Sequence, residues 1–206
     1  MRIHRWVIGC LLLVSALGYS AFSLVAEDKK SDFLKPDQWE GLKYWNVEGN
    51  TVIGKTEVDP KHNTFLCSKK QYKNFEMKFE VQLKNGGGNS GIQIRSKVVD
   101  KAKFVVAGPQ CDIGKGYWGS LYGERFGGMM KQADAKKINE KLKEKEFNTY
   151  YIKAVGKHVT IKVNDVVAVD DTFEKMPESG IIAFQLHQGG PMEVTFRNIE
   201  FTELPD

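Results

Sequence analysis

Polar side chains that could share a site recur in this chain on the wet side of strand-like segments. In Asn89-Ser90-Gly91-Ile92-Gln93-Ile94-Arg95, alternation sends Ile92 and Ile94 one way and Gln93 and Arg95 the other. Gln110 and Asp112 share a face in the same manner, and Glu124 follows the aromatic turn Tyr117-Trp118-Gly119 and Tyr122. In Gly180-Ile181-Ile182-Ala183-Phe184-Gln185-Leu186-His187, the apolar face is Ile182, Phe184 and Leu186, while Gln185 and His187 project oppositely. Flat rings such as Trp118 and Tyr122 stack on sugars, and carboxylates and amides take paired hydroxyls. A histidine beside carboxylates adds proton transfer. Plainer readings stand beside these: Arg95 as an exposed charge on a wet sheet, Asp112 and Glu124 as turn carboxylates capping backbone amides.

The elements that must position these groups are short strands. Phe75, Met77, Phe79, Val81 and Leu83 point one way, and Glu76, Lys78, Glu80, Gln82 and Lys84 the other. Similar segments cover residues 63–72, 91–98, 104–113, 149–155, 159–163, 181–187 and 194–204, separated by turn signals such as Asn85-Gly86-Gly87-Gly88, Gly156-Lys157 and Asn164-Asp165. Many short strands with glycine-rich turns predict an all-β antiparallel sandwich or jelly roll. Lys131–Glu146, rich in Lys, Glu and Ala with Ile138 and Leu142 one turn apart, predicts a short surface helix.

Arg2 and Arg5 form a basic start, and Trp6–Ala26 then runs without a charged side chain to the small-residue site Leu24-Val25-Ala26. That layout predicts a signal peptide over residues 1–26, a secreted or periplasmic location, and no membrane attachment after its removal. The mature region, 27–206, reads as a single domain. Its charge is close to balanced, because losing Arg2 and Arg5 takes 30 Lys+Arg to 28 against 26 Asp+Glu. No basic stripe interleaves with aromatics, so nucleic acid is not an expected partner. Cys67 and Cys111 remain, and sequence leaves open whether they pair or stay as buried thiols.

Five ordered blocks carry a resemblance: Asn-Ser-Gly-Ile-x-Ile-Arg (89–95), Gly-Pro-Gln-Cys-Asp-Ile-Gly (108–114), Tyr-Trp-Gly-Ser-Leu-Tyr-Gly-Glu (117–124), Phe-Asn-Thr-Tyr-Tyr-Ile-Lys-Ala-Val-Gly (147–156), and Gln-Leu-His (185–187) followed by Phe-Arg-Asn-Ile (196–199). Over about residues 32–204 the chain resembles the 3-keto-disaccharide hydrolase domain family. The resemblance implies a concanavalin A-like jelly roll with a sugar-binding concave face. Two departures are Phe147, where the family often carries tryptophan at a position that reads as core, and Pro109, where an aromatic is common.

The resemblance further implies an exported protein that cleaves the glycosidic bond of 3-keto-disaccharides or 3-keto-glycosides by a base-assisted elimination. That chemistry needs a base, an electrophile and an acid, for which the expected residues are His187 as base, Arg95 as the contact to the carbonyl or enolate, and Glu124 or Asp112 as proton donor to the leaving oxygen, in roles that can be permuted. Gln93, Gln110, Gln185, Trp118 and Tyr122 are the expected substrate contacts. The Glu-x-Asp-x-x-Glu strand of laminarinase-type β-glucanases is absent. No cofactor is required by the sequence, although a divalent cation held by Asp112, Glu124 and His187 could stabilise an enolate instead. The alternative function is a non-catalytic, lectin-like carbohydrate-binding module. Strand parity sends Arg95, Asp112 and His187 away from the core, and the resemblance, which implies that these strands share one sheet, predicts that with Glu124 they converge on one concave face; the oligomeric state is left open.

Overall fold

A computed structural model describes residues 32–206, so the expected export segment and its cleavage point lie outside the described residues. In chain order the strands are β1 (Trp39–Glu40), β2 (Trp45–Glu48), β3 (Thr51–Thr56), β4 (Thr64–Tyr72), β5 (Phe75–Leu83), β6 (Asn89–Asp100) and β7 (Val105–Gly114). They continue as β8 (Leu121–Glu124), β9 (Gly128–Lys131), β10 (Asn148–Val155), β11 (His158–Val163), β12 (Val166–Thr172), β13 (Gly180–Leu186) and β14 (Met192–Glu203), with one helix, α1 (Ala135–Asn139), between β9 and β10. Two seven-stranded sheets result, a front sheet ordered β1-β4-β13-β6-β7-β8-β9 and a back sheet ordered β12-β11-β10-β5-β14-β3-β2. Every pairing is antiparallel. The chain is therefore the all-β sandwich that period-two alternation predicts.

Between the sheets the apolar parities meet. Phe75, Met77, Phe79 and Val81 of β5 pack with Ile92 and Ile94 of β6 and with Ile182, Phe184 and Leu186 of β13 in one buried cluster. Phe184 stands edge-on to Phe196 and Phe79 stacks on Tyr150, with ring centroids 4.9 and 5.2 Å apart. Burial of each such ring contributes about 1.5–3 kcal/mol, so the facing apolar rows dominate the stability of the sandwich.

The outer face of the front sheet is divided. Phe65, Cys67, Val106, Ile181 and Ala183 form a second buried cluster there, covered by Val98 and Phe104 from the β6–β7 hairpin. That hairpin closes one part of the outer face and leaves the polar part open. The two cysteines settle by parity: Cys67 belongs to the outer cluster and Cys111 to the inner core, and both are free thiols.

Three expectations need correction. The helix spans only Ala135–Asn139, because Asp134 caps it by accepting from Lys136 N and Lys137 N, and the lysine- and glutamate-rich remainder buries too little to hold helical turns beyond Leu142. Phe147 is half-buried at the surface under the Arg197 guanidinium, 3.5 Å from the ring centroid, and does not belong to the core. Six strands, β1, β2, β3, β8, β9 and β12, carry too short or too interrupted an alternation to be seen in advance. Among the described residues no helix is long and apolar enough to cross a membrane.

Candidate functional site

Register assembles the site on the open part of the front sheet. Directly paired residues of antiparallel strands project to the same face. Ala183, Gln93, Gln110 and Tyr122 lie side by side across β13, β6, β7 and β8, and Gln185, Gly91 and Asp112 form the next row. Gly91 is required in that second row, because a Cβ there would lie 2.7 Å from the side chain of Gln110. Glu124 follows Tyr122 on the same face of β8, and His187 follows Gln185 just beyond β13.

Together these strands line a cleft of about 390 Å³ formed by Asn63, Asn89, Gln110, Asp112, Tyr117, Tyr122, Glu124, Gln185 and His187. A somewhat smaller recess of about 270 Å³ lies between Trp118 and the segment carrying α1 and Leu142, lined also by Leu83, Lys115 and Glu144. It holds no carboxylate–histidine combination, so the chemistry belongs to the first cleft.

Asp112 is the most perturbed group in that cleft. It is only 6% exposed, and burial, with Glu124 as a negative neighbour, pushes its carboxyl up to about 7 against the partial opposition of the Gln110 bond. Tyr150 Oη and Gly119 N both donate to the backbone carbonyl of Asp112, which fixes the strand under it. When the carboxyl is ionised, Gln110 Nε2 donates to Asp112 Oδ1 (2.8 Å) and to Gln185 Oε1 (3.3 Å). Gln93 Nε2 then donates to Gln110 Oε1 (2.8 Å). A carboxyl titrating near neutrality inside a cleft is suited to exchange protons with a bound substrate.

His187 supplies the second proton-transfer group. Its Nδ1 lies 2.6 Å from the carbonyl oxygen of Gln188, an acceptor only, so Nδ1 carries the hydrogen and the neutral ring keeps Nε2 as its basic nitrogen. Asn63 ties the rim together: its Nδ2 lies 3.5 Å from both carboxylate oxygens of Glu124, and its Oδ1 accepts from Gln188 N.

The structure thus brings together Asp112, Glu124, His187, Gln110, Gln185 and Tyr122 of the expected residues. Arg95 is not among them. It sits in the left-handed region at φ +45°, and the pairings of β6 with β7 and β13 shift register around it, so the parity that should have aimed it outward fails. Its guanidinium is buried at one end of the sandwich. There it donates to the carbonyls of Lys73, Gly156 and Pro177 and to Asn74 Oδ1, joining three loops. Gln93 keeps outward parity but is fully buried beneath the cleft.

Trp118 is the other displaced residue. It is 7% exposed and packs into the core, whereas its neighbour Tyr117, 46% exposed, lines the cleft. Backbone bonds from Tyr117 N and Trp118 N to Gly114 O tighten this turn. Gly119, at φ +81°, passes so close to Ala168 that a Cβ would lie 2.5 Å from that methyl group. Turn geometry decides which ring of the Tyr-Trp pair faces outward, and adjacency in sequence could not. Tyr117→Ala should weaken sugar binding by ~1 kcal/mol, about fivefold, in a protein that melts normally. Trp118→Ala should instead lower stability by ~3 kcal/mol or more. Calorimetric binding and thermal melts check both, and an unchanged affinity in the Tyr117 variant would refute the assignment.

Among the described residues no group of three or more His, Cys, Asp or Glu side chains converges as a metal site. Asn63, Asn89 and Tyr117 are the cleft residues that sequence reading passed over. Asn63 immediately precedes Thr64, the partner of Leu186, so its outward parity was legible only once β4 and β13 were known to pair.

The profile of a family described as the 3-keto-alpha-glucoside-1,2-lyase-like domain matches residues 30–202. No curated protein matches the sequence. Among solved structures, the chain is similar to a candidate glycosyl hydrolase from Parabacteroides distasonis ATCC 8503, at 18% identity and TM-score 0.61 over 84% of this chain and 98% of that one. A second such protein from the same organism matches at 17% identity and TM-score 0.58, over 82% and 89% of the two chains. The carbohydrate-binding module CBM66 from Bacillus subtilis matches at 14% identity and TM-score 0.59, over 81% and 96%.

Proposed function

The chain belongs to the 3-keto-alpha-glucoside-1,2-lyase-like domain family, and we propose on that premise that it cleaves the glycosidic bond of 3-keto-disaccharides or 3-keto-glycosides by elimination. The observation that carries this reading is the cleft in which Asp112, at about 7, meets Glu124 and His187. A ketone at C3 acidifies the hydrogen at C2, and the glycosidic oxygen at C1 is β to that carbonyl. His187 Nε2 takes the C2 proton, and its C–H electron pair becomes the enolate. The enolate then expels the C1 oxygen, forming the C1–C2 double bond, and neutral Asp112 protonates that oxygen as it leaves. Water adding across the new double bond completes a net hydrolysis.

With Arg95 elsewhere, the enolate oxygen must be met by the neutral donors of the cleft. Asn63, Asn89, Gln185 and the tyrosines Tyr117 and Tyr122 are the groups at hand. The Glu-x-Asp-x-x-Glu strand that sets nucleophile and acid for double displacement in laminarinase-type β-glucanases is absent, which favours elimination. Incubation with 3-keto and unoxidised disaccharides in D₂O tests the reading. The oxidised sugar should be cleaved with deuterium appearing at C2, and the unoxidised sugar should survive. Cleavage of both at similar rates without exchange at C2 would refute elimination.

A second reading, non-catalytic sugar binding, draws on the fold shared with a carbohydrate-binding module. Saturable binding with no release of sugar, with and without added divalent cations, would establish it over catalysis.

The site is proposed to work outside the cytoplasm, on the strength of the basic start and the uncharged run to Ala26. Secreted protein should have the intact mass of a chain beginning at Glu27, and a species retaining Trp6–Ala26 would show an anchor instead.

A further inference from the structure

Beneath the cleft, three glutamine side chains form one hydrogen-bond chain ending on Asp112. In the polarity described above, two of its atoms are badly placed. Gln93 Oε1 faces the carbonyl oxygens of Gly108 and Pro109 at 3.3 and 3.2 Å, and only Ser96 Oγ, at 2.7 Å, donates to it. Gln185 Nε2 is buried without a partner. Both defects sit in fully buried residues, where an unmet polar atom is costly.

A half-turn of each amide exchanges its N and O, relieves the oxygen–oxygen contacts of Gln93 and gives Gln185 Nε2 an acceptor, leaving Gln185 Oε1 as the one atom without a partner. Gln93 Nε2 then donates to Ser96 Oγ, Gly108 O and Pro109 O, at 2.7, 3.3 and 3.2 Å. The serine hydroxyl, now an acceptor there, can donate to Ile94 O at 3.1 Å. Gln93 Oε1 accepts from the Gln110 amide at 2.8 Å, and the Gln185 amide donates to Gln110 Oε1 at 3.3 Å. Gln110 Oε1 also lies 2.8 Å from Asp112 Oδ1, and two oxygens at that distance need a proton between them. The only group there that can carry one is Asp112.

We infer that Gln93, which lies too deep to touch substrate, is a positioning residue: through Gln110 it sets the polarity of the amide chain so that Asp112 is held as a neutral acid. Loss of the proton reverses the chain, turning Gln110 Nε2 toward the carboxylate and leaving Gln185 Nε2 without its internal acceptor. The free amide atom of this cleft-lining residue therefore changes from acceptor to donor when Asp112 ionises. In the proposed reaction that change coincides with proton delivery, but the inference rests on the geometry of the chain and stands whether or not a sugar is cleaved.

The charged and titratable groups that face Asp112 are Glu124 on β8 and His187 beyond β13, with Tyr117 and Tyr122 in the cleft and Cys111 and Tyr150 on the core side. None of them bonds to Gln93, whose contacts run to Ser96, Gln110 and the two carbonyls. The response of Gln93 is therefore a specific reporter.

The test is a pH titration by NMR of the sugar-free protein carrying ¹³C-labelled aspartate and ¹⁵N-labelled glutamine. The side-chain amide of Gln93 should shift with the same midpoint as the carboxyl carbon of Asp112. In Gln93→Met, the neutral form loses its support, and the Asp112 midpoint should fall by about one unit, the scale of one hydrogen bond. A Gln93 amide that stays flat while Asp112 titrates overturns the proposal, as does an unchanged midpoint in folded Gln93→Met. If that variant does not fold, the wild-type titration alone decides. Neither readout involves turnover, so failure of the proposed reaction leaves this result interpretable.

Discussion

Asp112→Asn is expected to lower turnover of a 3-keto disaccharide by ~100- to 10,000-fold, the usual cost of removing a proton-transfer group, while leaving the protein folded. The wild-type rate should fall as pH rises through about 7, because burial, with Glu124 nearby, holds the carboxyl there and only the neutral acid can protonate the leaving oxygen. Glu124→Gln removes the negative neighbour and should move that alkaline limb to lower pH.

Stability falls over the same pH range, but there the substitution acts in the opposite direction. The Asp112 carboxyl has its ordinary value of 3.8 in the unfolded chain and about 7 in the fold, so its stabilising contribution is complete below about 4 and is lost as pH rises through about 7. The gap of about 3 units sets a ceiling of about 4 kcal/mol, which water in the open cleft reduces. Asparagine escapes the penalty of burying charge. Above pH 7 the inactive variant should therefore be more stable than the native protein by ~1–2 kcal/mol. Denaturant melts at pH 5 and pH 8 check this. A variant destabilised equally at both would make Asp112 a structural residue.

Arg95→Met should produce the converse pattern. The side chain is 1% exposed and satisfies the carbonyls of Lys73, Gly156 and Pro177 together with Asn74 Oδ1. Methionine keeps much of the packing volume and leaves those acceptors unpaired at the end of the sandwich. We expect a loss of ~3–5 kcal/mol, which for a domain of this size lowers the melting temperature by about 10 °C. Sugar affinity per folded molecule should be unchanged, because the guanidinium lies away from the cleft. Loss of turnover at full thermal stability would return Arg95 to the site and overturn the structural role.

The contrast between Asp112 and Arg95 marks how far alternation reaches. Gln110 with Asp112 and Gln185 with His187 stand on strands whose parity holds to the cleft, and their outward direction could be read from the apolar residues between them. Arg95 follows the same alternation on paper, but one left-handed residue breaks the ladder and sends its side chain to the end of the sandwich. Nothing in the local pattern Ile92-Gln93-Ile94-Arg95 announces that break, because its cause is the fit of three distant loops around the guanidinium.

Tyr117 and Trp118 show the same limit at a turn, where no period exists and packing selects the ring that stays inside. By itself, then, the sequence determined the all-β class and the outward parity of Asp112, Gln185 and His187, because side-chain alternation is local and each strand reports its own faces. Only the tertiary structure decided that β13, β6, β7 and β8 lie side by side, that Asn63 and Tyr117 complete the cleft, and that Asp112 is buried enough to titrate near 7. Those properties depend on strand order, register and desolvation, which arise from residues far apart in the chain.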